Sequence, residues 1–403
     1  MSDIVIMGGG LVGLAFAAAL DQAGLAATVI DPADPEVRLT GAYDGRASAL
    51  SSSSKRMFDT IGIGDHFPEP GSPIAQIKVS DGLDPGGLVF DSEDEGEPLG
   101  WMYENRHLRR ALLDRARAGT NLDLQFGRKA TQIVRDETGV RVTLDDGEEI
   151  RARLLVGAEG RNSPSREAAG IRVARWTYDH AAIVSTLRHE RPHRNIAYEI
   201  FYPAGPFALL PMTDDEGGHR SAIVWSVAAK DAPGMLALSD DDFAAEAQAA
   251  MGGFLGEISM LAPRSSYPLG FHHTVRITDT RLALIGDAAH GIHPIAGQGV
   301  NLGYRDAAAL AQVLVEGRRK GLDLGDAQLL DRYQQWRSVD TLMVAMATDG
   351  LTRLYGLPGK PASAVRRFGM AMIDRLGPVK QRLMDEARGT AGELPLLLRG
   401  LPI

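Results

Sequence analysis

The stretch Ile4-Val5-Ile6-Met7-Gly8-Gly9-Gly10-Leu11-Val12-Gly13 decides how this chain folds. Ile4 to Ile6 is a short apolar run rich in β-branched side chains, the pattern of a buried strand. The glycines follow at once, and Leu11 to Leu20 is then dominated by alanine and leucine, a helix-forming composition. Gly8, Gly10 and Gly13 fit G-x-G-x-x-G. That spacing supplies a tight turn, a close backbone approach to a pyrophosphate, and close helix-to-strand packing. The helix start offers unpaired N–H groups and the positive end of its dipole to an anion. A second strand, Ala27-Thr28-Val29-Ile30, ends in Asp31, where an acid accepts hydrogen bonds from an adenosine ribose. The stretch is not read as a signal peptide, because Asp3 is acidic and four glycines interrupt the apolar run.

A second glycine motif stands near the other end. Leu282-Ala283-Leu284-Ile285 reads as another buried strand, closed by Gly286-Asp287. His290 and Pro294 follow, and Gly297-Gln298-Gly299-Val300-Asn301 opens an alanine-rich helix through Leu310. This is a second helix start aimed at a ligand. Asp287 suits sugar or ribityl hydroxyls, and N–H groups near Gly297 to Asn301 suit negative charge on a reduced flavin ring. Two such motifs in one chain read as a site for FAD; a plain NAD dehydrogenase would leave the second without a task.

These motifs resemble those of the class A flavoprotein aromatic hydroxylases, over nearly the whole chain. The resemblance is strongest to the branch that hydroxylates polyprenylated phenols in ubiquinone biosynthesis. It is carried also by Tyr43-Asp44-Gly45-Arg46-Ala47-Ser48-Ala49-Leu50, by Glu104-Asn105-Arg106-His107-Leu108, by Val156-Gly157-Ala158-Glu159-Gly160-Arg161-Asn162-Ser163, and by Leu398-Arg399-Gly400-Leu401. The Asp-Gly-Arg-Ala-Ser-Ala-Leu stretch favours the ubiquinone branch over hydroxylases of free aromatic acids.

The resemblance implies a mixed α/β fold with three parts. A Rossmann-like FAD-binding domain of three-layer ββα architecture is discontinuous over residues 1–70, 101–174 and 276–345. A β-sheet substrate domain takes 71–100 and 175–275, and a helical segment takes 346–403. It implies that NAD(P)H reduces FAD, that O2 forms a flavin C4a-hydroperoxide, and that an electron-rich phenol takes the distal oxygen. Arg46 is expected near the flavin, with Pro294 and Gln298 beside it as catalytic positions. Arg106 is expected on the FAD phosphates or ribose, and Asp287 on the ribityl chain. Pro294, Gly297, Gln298 and Gly299 are expected to line the ring, with Val300 and Asn301 behind them. The remaining cofactor positions are Gly8, Gly10, Leu11, Val12, Gly13, Asp31, Glu159, Gly160 and Gly286. The family usually has aspartate where Glu159 stands, in a motif associated with FAD and reduced nicotinamide together.

Composition sets further bounds. The chain has 403 residues, so two domains of about 150 residues each plus a tail are expected. A net charge of −9 gives a nucleic-acid partner no support. With no cysteine, thiol catalysis, disulfides and iron–sulfur clusters are excluded. His290 and His293 have metal-like spacing but no third ligand, so no metal is expected. No transmembrane run stands out, and a cytoplasmic location fits, with the inner membrane face as an alternative resting place.

Charge is unevenly spread. Residues 356–403 carry a net +4, leaving −13 for the remainder. Val365, Phe368, Met372, Ile373, Leu376, Val379 and Leu383 recur there at helical spacing. Two readings stay open for this segment: a helical cap packed on the enzyme, or a basic amphipathic surface for an anionic membrane. A biosynthetic complex and a homo-oligomer are further partners the chain admits. Ser80 to Gly100, with seven acids and no base, is expected to be a solvated loop.

Helix composition begins again near Asn105, and Leu122 to Phe126, Thr131 to Val134 and Val140 to Leu144 read as short strands. Leu154 to Val156 is expected to re-enter the main sheet. Strand-like stretches at Ala197 to Tyr202, Phe207 to Leu210 and Ser221 to Val227 suit a sheet floor over the flavin. Tyr202, Tyr267, His272 and His273 are candidates to tune the phenol, though tyrosines in apolar strands are commonly core. Two competing functions remain: a hydroxylase of soluble aromatic metabolites, and a flavin-binding assembly component without turnover.

Overall fold

The computed structural model describes residues 2–40, 43–84, 87–92, 96–291, 299–338, 372–373 and 376–403. Its strands sort into two large sheets. The first has six strands in the order Thr278–Asp279, Leu282–Leu284, Leu154–Gly157, Ile4–Met7, Ala27–Asp31, Leu122–Phe126. All neighbours are parallel except the edge pair at Thr278–Asp279. Ile4 to Ile6 and Leu154 to Val156 are fully buried, as strands covered on both faces require. Leu122–Phe126 joins this sheet. Ala130–Arg135 and Val140–Leu144 instead pair with Glu149–Ala152 in a separate three-stranded antiparallel sheet.

The helix Leu11–Gln22 lies between the helices Asn105–Ala118 and Gly299–Arg319. Every residue from Gly13 to Leu20 is buried. A helix apolar all round is stable only when enclosed, and its small alanines let the neighbours come close.

The second sheet is mostly antiparallel and has nine strands. Its main path is His290–Gly291, Ser265–Thr274, Val173–His189, Gly218–Ala228, Gly205–Asp215, Ile196–Tyr202, Gln76–Asp81, Leu88–Asp91. Alternation along each strand gives the sheet two distinct faces. One face, carrying Ile183, Phe207, Leu209 and Ile223, packs on Phe243, Ala247 and Met251 of the helix Asp240–Met251. The other, carrying Ala197, Met212 and Ala222, packs toward Ala47, Ala49, Met102 and Met384.

The reading of Ser80 to Gly100 as a solvated loop is corrected in part. Leu88–Asp91 is a strand paired with Gln76–Asp81, and Leu88 and Phe90 are buried. The seven acids, counted over the whole stretch, mask a four-residue alternation whose apolar side points inward.

At the C-terminus, Leu397 and Leu398 are fully buried and sit on a turn, Leu396–Arg399, that packs against the helix Ser52–Thr60. Each such leucine is worth about 1.5–3 kcal/mol of burial. The helix Gly377–Arg388 precedes them. Val365 and Phe368 lie outside the described residues.

Gly13 is the tightest point of the first motif, since a Cβ there would meet the Gly8 carbonyl oxygen at 2.0 Å. Gly13→Ala is therefore expected to destabilise the fold by at least about 1–3 kcal/mol, read as a lower urea midpoint.

Candidate functional site

The glycine turn leaves the first strand in a conformation closed to other residues. Gly8 has φ +106°, and a Cβ on it would meet the Ala158 carbonyl oxygen at 2.5 Å. Gly10, by contrast, faces open space, and it caps the helix Leu11–Gln22 with no side-chain hydrogen bond. The first turn of that helix holds no acid, so its leading N–H groups are left for an outside anion.

The cleft in front of Gly10 is lined by Leu11, Asp31, Ala33, Arg109 and Phe126 among others. Asp31 accepts hydrogen bonds from Gly9 N (2.8 Å) and Ala33 N (2.8 Å), which aims its carboxylate into this cleft. Arg109 was not singled out from sequence. Its signal was available: it sits one helical turn beyond Arg106, on the helix Asn105–Ala118. Arg106 itself is occupied elsewhere. Its Nε donates to Glu104 Oε2 at 2.5 Å, and its guanidinium lies 4.9 Å from the centre of the Tyr43 ring. Glu104 is buried and also pairs with Arg220 at 3.0 Å.

In the middle motif, Glu159 is turned inward. Ser163 Oγ donates to it at 2.7 Å, and Ser165 donates from both its N (3.2 Å) and its Oγ. Ser163 in turn caps the helix Pro164–Ala168. Burial raises the Glu159 carboxyl, and the serine hydrogen bonds oppose that rise. Gly160, at φ +79°, faces open space. Arg166 is fully buried and bridges two motifs, donating to Arg161 O (2.7 Å) and to Ala288 O (3.0 Å).

The C-terminal motif is held by a carboxylate that sequence reading missed. Asp306, on the helix Gly299–Arg319, is completely buried. It accepts from Gly286 N (2.9 Å), bonds His290 Nε2 (2.6 Å) and accepts from Arg337 Nε (2.7 Å). His290 is thus a structural partner of Asp306. His272 Nε2 donates to the Asp287 carbonyl at 2.7 Å, which fixes its tautomer, and burial pushes its pKa down to about 4. The Asp287 carboxylate stays half exposed, 3.3 Å from Arg161 Nε.

The two glycine motifs meet. Val12 packs against Gly286 and Gly303, where added Cβ atoms would lie 3.3 and 2.6 Å from its methyls. Asn301 ties the later helix to a third segment, donating to Ala49 O (2.8 Å) and accepting from Ser51 N (2.9 Å). Gly299 faces open space at the helix start, and Val300 is half-buried beside it. Arg46 is exposed, and its charge, with that of Arg161, acts on Tyr267. Tyr202 faces the other way and donates to Ala250 O, so it belongs to the core. His273 stacks on Phe271, with ring centres 6.3 Å apart. Pro294, Gly297, Gln298 and His293 lie outside the described residues.

An uncapped helix start, an open glycine and an acid in one cleft fit a pyrophosphate and ribose. Gly286, packed on Val12 and followed by Asp287, together with the helix start at Gly299, fits the remainder of a long dinucleotide. Comparison with known proteins agrees. The FAD binding domain family matches residues 1–346. Ubiquinone hydroxylase UbiL of Rhodospirillum rubrum is 44% identical, the alignment covering 100% of this chain and 94% of that protein. The 3-demethoxyubiquinol 3-hydroxylase of Escherichia coli is 32% identical over 96% of this chain and 98% of its own length. Among solved structures, p-nitrophenol 4-monooxygenase PnpA of Pseudomonas putida superposes with a TM-score of 0.78, at 19% identity, over 98% of this chain and 99% of that one, which shows a shared fold. The chain belongs to the FAD-binding flavoprotein monooxygenases, within the group of ubiquinone-biosynthesis hydroxylases.

Asp306 carries a testable share of this arrangement. Asp306→Ala is expected to cost about 3–5 kcal/mol of unfolding free energy, measured by urea denaturation. Burial alone would raise the Asp306 carboxyl, but the charges and hydrogen bonds of His290 and Arg337 outweigh it and hold it below 3.8. A depressed folded pKa gives stability that is complete above the unfolded value. The gap between wild type and variant is therefore expected to stay level at neutral pH and to close only as pH falls below 3.8.

Proposed function

We propose that this chain is an FAD-dependent monooxygenase that uses NAD(P)H and O2 to hydroxylate the aromatic ring of a polyprenylated phenol in ubiquinone biosynthesis. The carrying observation is the contact of Val12 with Gly286 and Gly303, which makes one site of two distant glycine motifs. In this reading Gly10, Leu11, Val12 and Gly13 hold the pyrophosphate, and Asp31 with Arg109 takes the adenosine ribose. Asp287 holds the ribityl chain, while Gly299, Val300 and Asn301 lie at the ring. Bound FAD supplies the redox chemistry, passing electrons from reduced nicotinamide to O2 and one oxygen atom to the ring. The chain's own residues position the phenol, keep water out and receive its proton. Asp287→Ala is expected to lower bound flavin well below one per chain, read from the absorbance of purified protein. Full flavin occupancy would remove Asp287 from this role.

An apolar, prenylated substrate is supported by the C-terminal helix. Val379 and Leu383 in the helix Gly377–Arg388, and Met372 and Leu376 just before it, are exposed by 37–50%, with Lys380 and Arg382 close in sequence. We assign this face to peripheral contact with an anionic membrane. Ile373 points the other way, into the apolar cluster under the large sheet. No helix among the described residues is long and apolar enough to cross a membrane. Replacing Leu376, Val379 and Leu383 together by aspartate is expected to abolish flotation with anionic liposomes while leaving flavin content intact. Flotation equal to wild type would refute the membrane assignment.

A further inference from the structure

One carboxyl on the inner face of the large sheet has no structural task. Glu199 lies mid-strand in Ile196–Tyr202. Alternation in that strand sends Tyr198, Ile200 and Tyr202 to the helix side, and Ala197 and Phe201 to the opposite side. Glu199 therefore shares the face of Ala197 and Phe201. Directly opposite it across the two neighbouring strands stand Ala208 and Val79. The same row continues through Val224 to Val184. All of these are apolar.

This face is the one turned toward the cofactor segments. Ala47 and Ala49, next to Arg46, pack on its apolar cluster. Thr186, in the same face, bonds Tyr43 Oη at 2.8 Å and donates to Gly45 O at 3.3 Å. Tyr267, opposite Ala182 on this face, feels the charges of Arg46 and Arg161. The titratable neighbour on the adjoining strand is Asp81, level with Phe201.

Among the described residues no hydrogen bond or ion pair reaches the Glu199 carboxyl. The side chain is largely shielded from solvent, and burial is the one influence that acts on its carboxyl. A buried carboxyl without a partner is costly, so it is expected where a ligand completes it.

We propose that Glu199 is the catalytic base that binds the phenolic hydroxyl of the substrate. The O–H bond of the phenol breaks, its proton passes to a Glu199 carboxylate oxygen, and the electron pair stays on the phenolate, raising the nucleophilicity of the ring. Burial pushes the Glu199 carboxyl up to about 7, so its basic form is populated at neutral pH while it keeps a useful proton affinity. The proposal rests on the hydroxylase reading above and adds to it the residue that activates the phenol.

The test compares wild type, Glu199→Gln and Glu199→Leu, each loaded with FAD, using an ortho-prenylated phenol as probe. Binding is followed by the change in flavin absorbance, and turnover by partition of consumed NADH between hydroxylated phenol and hydrogen peroxide. Glu199→Gln is expected to bind the phenol within about threefold of wild type but to hydroxylate it about 100-fold more slowly, with peroxide taking up the electrons. Glu199→Leu is expected to lose about tenfold in binding as well, the hydrogen bond being gone. Hydroxylation by Glu199→Gln within threefold of wild type overturns the proposal. So does loss of flavin or of folding in both variants, which makes the carboxyl a structural element. Wild type that oxidises NADH without hydroxylating the phenol refutes the activity assignment instead. The binding comparison then still decides Glu199, and equal affinity of wild type and Glu199→Leu overturns its role.

Discussion

A fully buried carboxylate, Asp306, is the constraint on which the site depends. Taking an ion out of water costs several kcal/mol unless its oxygens are satisfied. Asp306 meets that condition with three donors from three places: the Gly286 amide, the His290 ring and the Arg337 guanidinium. Because Asp306 belongs to the helix that begins at Gly299, the helix start and the Gly286–His290 loop are fixed relative to each other. Arg166 and His272 extend the clamp by holding the Ala288 and Asp287 carbonyls. The Asp287 carboxylate itself stays half exposed, 3.3 Å from Arg161 Nε.

The large sheet gains its use from having two unlike faces. The helix Asp240–Met251 seals one side with Phe243, Ala247 and Met251. The other closes on segments that belong to the cofactor site, so a single layer of strands is both core and floor. That inner face is largely apolar. Its polar points include Thr186 tied to Tyr43, Arg220 paired with Glu104, Tyr267 under the charges of Arg46 and Arg161, and Glu199.

Local elements were legible wherever one period or one turn rule governed them. The strand at Ile4, the helix from Leu11, the strand at Leu282 and the helix through Leu310 all announced themselves by runs of side chains with a shared requirement. The acidic stretch from Ser80 was misjudged because the inward pair Leu88 and Phe90 is short and surrounded by charge. Arg106 and Arg109 lie on one helix with similar chemistry. Only the tertiary structure sets Glu104 and Tyr43 beside the first and puts the second in the lining of the cleft. Asp306 looked like an ordinary polar residue in an alanine-rich helix, since its partners come from loops before it and from Arg337 after it.

By itself the sequence determined that two glycine turns, each feeding a helix, exist in this chain. The steric demand behind them is local: Gly8 at positive φ admits no Cβ, and Gly13 must touch its own turn. Only the tertiary structure decided which acids stay accessible. Asp31 and Asp287 border open space, Glu159 is consumed by serines four and six residues on, and Asp306 vanishes into an ion cluster. A carboxylate's role depends on which donors come within about 3 Å of it, and for Asp306 those donors come from segments 16 to 31 residues away in the chain.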